Sequence, residues 1–120
     1  MAWSKAPQSL VDLFAVVLPN DVRVERRKIF GYPAAFVNGN MFAGLFQDQM
    51  FARLAPDERA ALEAAHGPLP FEPMAGRPMK DYTRLPDEVL EDEGEATALM
   101  ARAFRWSAAL PAKVKKPKAK

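Results

Sequence analysis

The chain has 120 residues, 49% of them apolar, with twelve aromatics and no cysteine. That is one domain's worth of core, and it excludes disulfides, thiolate zinc sites and cysteine nucleophiles. No run approaches the ~20 apolar residues needed to cross a bilayer, and MAWSKAPQSL lacks the apolar centre of a signal peptide. A cytoplasmic domain with no membrane contact is expected. The formal charge of +2 is uneven: Lys113, Lys115, Lys116, Lys118 and Lys120 crowd the last eight residues. Without those five, 12 basic residues face 15 acidic ones, a net charge of −3. The basic character belongs to a tail over 112–120, whose Lys/Pro/Ala composition predicts disorder.

In chain order, QSLVDLFAVVL predicts a helix over residues 8–18. Its apolar positions Leu10, Leu13, Phe14, Val17 and Leu18 share one face, with Pro7 before it and Pro19-Asn20-Asp21 after it. A strand is expected over Val24–Phe30, stopped by Gly31-Tyr32-Pro33. Asn38-Gly39 between AAFV and MFAGLF is a strong hairpin signal, since a type I′ turn needs positive φ at both central residues. Gln47-Asp48-Gln49 reads as a second, looser hairpin leading into a strand over Met50–Leu54. Gly44, inside MFAGLF, marks a bulge or the close approach of a helix. Pro56-Asp57-Glu58 opens a helix ending at His66, because proline fits the first helical position and acids there suit the helix dipole.

From Leu69 to Arg84, prolines and Gly76 predict a short edge strand near Phe71, a turn through Ala75-Gly76-Arg77-Pro78 and a strand over Met79–Arg84. Leu85-Pro86-Asp87-Glu88 starts a short helical turn. A last helix over Glu95–Leu110 aligns Ala96, Leu99, Met100, Ala103, Phe104, Ser107 and Leu110. Hairpins too short for crossovers argue against a parallel sheet. The order predicts an α+β fold: an antiparallel β-meander packed against N- and C-terminal helices in one two-layer domain over 1–111.

Several segments taken in order, RRKIFGY, VNGNMFAGLF, MFARL, PFEPM, KDYTRLPDEVLED and the alanine-rich helix ending at AALP, resemble the N-terminal domain of the TfoX/Sxy competence-regulator family. The resemblance covers about residues 8–111. It implies an α+β domain akin to the type III secretion-chaperone-like and YjbR-like folds, associated with regulation of natural competence and with no enzymatic reaction. Full regulators of this kind carry a second, helical C-terminal domain. After Leu110 this sequence has the lysine-rich stretch instead, a departure from the family pattern that weakens the expectation of a direct competence role.

No catalytic set emerges from the residues themselves, and the chain is read as a non-enzyme without cofactor or metal. The lone histidine, His66, suits a helix C-terminus. The acidic run Asp87, Glu88, Glu91, Asp92, Glu93 and Glu95 suits helix N-termini better than a metal. Binding is the better expectation. Arg26, Lys28, Arg53, Arg77 and Lys80 could converge with Tyr82 as an anion or partner contact, or pair with Glu25, Asp81 and Glu72 as surface ion pairs. On β-alternation, Arg26 and Lys28 share one side and Arg27 takes the other. Phe36, Met41 and Phe42 are candidates for an apolar interaction face, since larger exposed apolar patches mark protein contacts. The leading expectation is a small regulatory or interaction domain acting through a protein partner or through self-association as a homodimer. The alternative is a nucleic-acid-associated regulator making weak contacts through the basic sheet face and the lysine tail.

Overall fold

The computed structural model describes residues 7–29, 31–71 and 81–111. Helix α1 (Gln8–Val17) leads into four strands, β1 (Glu25–Ile29), β2 (Tyr32–Val37), β3 (Asn40–Phe46) and β4 (Gln49–Arg53). Then come α2 (Pro56–His66), β5 (Tyr82–Arg84), α3 (Asp87–Leu90) and α4 (Glu93–Ala108). The strands form one antiparallel sheet in the order β1-β2-β3-β4-β5. The fold is α+β, and the expected meander is present.

The turns carry the conformations their residues permit. Asn38 and Gly39 hold φ of 53° and 80°, the positive pair that a two-residue type I′ hairpin demands. The β3–β4 connection is tighter than expected. Phe46 pairs with Gln49, leaving Gln47-Asp48 as a two-residue loop with Gln47 at φ 56°. Of the strand expected near Phe71, the described residues show a single bridge, Pro70 to Thr83, and proline gives the ladder no N–H there. The turn at Ala75–Pro78 and the first part of the Met79–Arg84 strand lie outside the described residues, as do Phe30 and the tail.

Small side chains let α4 sit close to the sheet. Ala35, Ala43, Ala52 and Thr83 are register partners in a row across β2 to β5, and all four are buried. Against this row α4 brings Ala96, Leu99, Met100, Ala103 and Phe104, with Phe14 and Val17 of α1 in the same core. Leu110, expected on the α4 stripe, lies beyond the helix end and is half-buried. The C-terminus of α4 is tied to the β2–β3 hairpin: Asn38 Nδ2 donates to Ala108 O at 3.3 Å, and Asn40 Nδ2 to Pro111 O at 3.1 Å. Asn38 thereby satisfies a carbonyl that the helix end leaves without an intrahelical donor, and Asn40 holds the chain just beyond the helix.

On the opposite face aromatics replace helices. Phe71 stacks on Phe51 with ring centroids 4.0 Å apart and meets Phe46 edge-on at 6.1 Å. Tyr82 meets Phe51 at 5.6 Å, and Tyr32 meets Phe46 at 5.3 Å. Gly44 serves this face. The close approach is by an aromatic ring rather than a helix, and the bulge lies elsewhere, opposite the Ala35–Phe36 step. A Cβ at Gly44 would lie 2.6 Å from Phe51 Cζ. Phe51 is buried and held against Phe71, so its ring has little room to yield. Gly44→Ala is therefore expected to destabilise by about 1–3 kcal/mol. In a Phe51→Leu background it should cost much less, as measured by urea unfolding.

Candidate functional site

Two places collect the candidate residues, and they are separate. Arg26 and Lys28 lie on β1, while Arg53 lies on β4 with two strands between them. At about 4.8 Å per strand this puts the strands roughly 14 Å apart. Alternation also splits them by face. Arg26 pairs with Ala35 on the helix side, whereas Arg53 pairs with Tyr82 on the aromatic side. Arg26 and Lys28 thus do not converge with Arg53 in the expected anion rim. Arg77 and Lys80 lie outside the described residues.

The Arg53 corner is a structural tie. Its Nη2 reaches Asp81 Oδ2 at 3.3 Å, and its guanidinium lies 5.7 Å from the Tyr82 ring centroid. Arg59 of α2 donates to Leu54 O at 2.8 Å and to Asp81 O at 3.2 Å. Helix α2 buries none of its residues, so these bonds do much to hold it, along with Arg102 Nε to Glu58 Oε1 at 3.2 Å. Between α2 and α4 lies a groove of about 370 Å³ with Leu54, Leu62 and Leu99 among its lining. The sequence offered no signal for Arg59, because an arginine in the first turn of an amphipathic helix looks like solvent-facing charge.

Tyr82 donates its hydroxyl to Met41 O at 2.8 Å. Burial pushes its phenol up from the ordinary value, with the nearby Arg53 charge opposing. The folded state therefore holds this proton more tightly than the unfolded chain does. The resulting stability is intact below the ordinary tyrosine value near 10 and declines as pH rises past it. Tyr82→Phe should remove that alkaline loss and cost about 1 kcal/mol at neutral pH through the missing hydrogen bond, read from unfolding curves at pH 7 and pH 10.5.

The proposed apolar face is not contiguous. Phe42 is fully buried on the helix side, edge-on to Phe104 at 5.5 Å. The register explains this: Ala35 faces Ala43 and Phe36 faces Met41, so β3 carries Phe42 as an extra residue, and such a bulge re-aims a side chain. Phe36 and Met41 do come together as half-buried partners. The Arg27 guanidinium covers Phe36, 4.7 Å from its ring centroid. His66 closes α2 with Nδ1 3.8 Å from Glu88 Oε1. In the acidic run, Asp92 caps α4 by accepting from Glu95 N at 3.1 Å.

The other place is the outer edge of β1. All five of its residues are exposed. Arg27 pairs with Glu25 at 2.8 Å, and neighbouring Arg23 pairs with Asp21 at 3.1 Å. The hydrogen bonds from Arg23 hold the Asp21 carboxyl below its usual range. Arg26 and Lys28 make no ion pair among the described residues, and both point to the helix side.

Their backbone groups are directed outward as well. Lys28 sits opposite Pro33, which has no N–H to give. In an antiparallel ladder, pairs that exchange both bonds alternate with pairs that exchange none. The bonding pairs are therefore Arg27–Ala34 and Ile29–Tyr32, and the N–H and C=O of Arg26 and Lys28 face away from β2. The opposite edge is closed: Arg84 N donates to Leu69 O at 3.1 Å, and Pro70 bridges Thr83. This geometry makes a strong prediction. Arg26→Pro removes only an outward N–H and should leave stability nearly unchanged. Arg27→Pro breaks a ladder bond and should cost at least about 1–3 kcal/mol more in the same unfolding assay.

The chain is thus a small α+β domain with a helix-covered meander and a basic edge strand, β1, that pairs only with β2 among the described residues. The family model for the TfoX N-terminal domain matches residues 18–106. The chain belongs to that family. Comparison with curated proteins finds no match. Among the described residues, no helix is long and apolar enough to cross a membrane.

Proposed function

We propose that this chain is a non-enzymatic regulatory domain of the TfoX N-terminal type that works by protein–protein contact at the β1 edge. The single observation carrying this reading is the contrast between the two sheet edges. One is closed by Leu69 and Pro70, while β1 exposes every residue and presents outward backbone groups at Arg26 and Lys28. Such an edge is a template for an added strand, in which main-chain bonds supply affinity and alternate side chains supply selectivity. The family resemblance implies regulation, in competence or transcription, as the setting of that contact.

A photo-crosslinking residue in place of Ile29, in the full chain inside its host cells, tests the reading. A discrete protein adduct that disappears with Arg26→Pro is the expected result. No adduct, or one indifferent to that proline, overturns it.

A second reading, a nucleic-acid-associated regulator, draws on the same unpaired Arg26 and Lys28. The net charge of −3 outside the last eight residues opposes it, since phosphate attraction supplies most non-specific affinity. Fluorescence anisotropy with duplex DNA decides between them. On the protein reading, removing residues 113–120 or raising salt to about 200 mM abolishes binding.

A further inference from the structure

We propose that the β1 edge takes an extended segment carrying acidic residues at alternate positions, which adds to the sheet as a sixth strand beside Arg26 and Lys28. This rests on the interaction reading above and names the chemistry of the partner. Two features of the edge coincide. The residues whose backbone N–H and C=O point outward are Arg26 and Lys28, because Pro33 fixes which pairs of the β1–β2 ladder exchange hydrogen bonds. Neither of these two residues makes an ion pair among the described residues, and their side chains share one face. In an added antiparallel strand, the residues bonded to Arg26 and Lys28 are two apart in sequence. Their Cα atoms lie about 5.5 Å from those of Arg26 and Lys28, and their side chains fall on the same face as the two cations. Opposite charges at such cross-strand positions stabilise and like charges destabilise.

The third cation is already engaged. Arg27 lies over Phe36 at 4.7 Å and holds Glu25 at 2.8 Å on the other face. It therefore makes no demand on the partner's intervening residue, which is free in type.

A second copy of this chain is the obvious rival occupant, and the charges reject it. Two β1 strands aligned antiparallel about Arg27 set Arg27 against Arg27 and Arg26 against Lys28. Because only alternate residues turn their backbone groups outward, the neighbouring registers are slips of two residues, which set Arg26 against Arg26 or Lys28 against Lys28. Each arrangement opposes like charges on adjacent strands, so the edge that resists its own copy accepts an acidic strand.

The probe is a synthetic peptide of alternating threonine and glutamate, seven residues long, added to the ¹⁵N-labelled full chain with amide hydrogen exchange read by NMR. At saturation the Arg26 and Lys28 amides should exchange at least tenfold more slowly. The Arg27 and Ile29 amides, already bonded to β2, should change little. The paired substitution Arg26→Glu and Lys28→Glu should abolish this binding and confer binding of the threonine–lysine counterpart. Several results overturn the proposal: unprotected Arg26 and Lys28 amides at saturation, equal binding of a peptide with its glutamates clustered, or duplex DNA displacing the peptide from these residues. If the Ile29 crosslink to a protein forms but this peptide fails, the acidic class falls and the edge as an interaction site stands.

Discussion

With Ala35 opposite Ala43 and Phe36 opposite Met41, Phe42 has no partner on β2, and this extra residue organises both faces of the sheet. Without the bulge, strict alternation would place Phe42 on the same side as Gly44 and Phe46. That is the side where Phe51, Phe71 and Tyr82 already meet. The bulge instead delivers Phe42 to the helices, where it packs edge-on against Phe104. Its preceding carbonyl, on Met41, receives the Tyr82 hydroxyl from β5. One irregularity in β3 thereby supplies a large core side chain on one face and a cross-sheet tie on the other.

The two faces then solve the same burial problem with different materials. On the helix side, a row of alanines and Thr83 keeps the sheet flat enough for α4 to approach, and the volume comes from Leu99, Met100 and Phe104. On the aromatic side the volume comes from rings, and the missing side chain at Gly44 makes room for Phe51. Exchanging the two devices would fail. An aromatic at Ala43 would push α4 away, and an alanine at Phe51 would leave Phe71 without its stacking partner.

The pattern of elements was legible because each left a local mark: the 3–4 spacing of α1 and α4, the Asn38-Gly39 turn, and proline at the start of α2. What escaped was non-local. The bulge at Phe42 is a two-versus-one count between strands, which no single strand encodes, so Phe42 looked like a candidate for an exposed face. Arg26, Lys28 and Arg53 looked alike as cations, and strand order and face together set Arg53 apart from the other two. Arg59 and Asn40 gave no sign that they hold α2 and the chain just after α4, because their partners are backbone carbonyls distant in the chain. Sequence reasoning sorted residues by type correctly; their partners belonged to the register.

The register also explains why one edge is open and the other shut. Pro33 costs the sheet one N–H on β2, and that position can be tolerated because it points away from β1 and lies beyond the Ala34–Gly44 end of the paired β2–β3 ladder. A proline one residue on, at Ala34, would instead remove a bond to Arg27 and loosen the ladder that holds β1 to β2. The same proline fixes the alternation that turns the backbone of Arg26 and Lys28 outward. An exposed strand with free backbone groups invites association, and charge is a common way to blunt it. Here the charge is of one sign at both outward positions, which disfavours antiparallel self-pairing of β1. A mixed pair, one acid and one base, would have permitted antiparallel self-association through opposite charges. On the reading proposed above, the uniform sign makes the edge selective as well as protected.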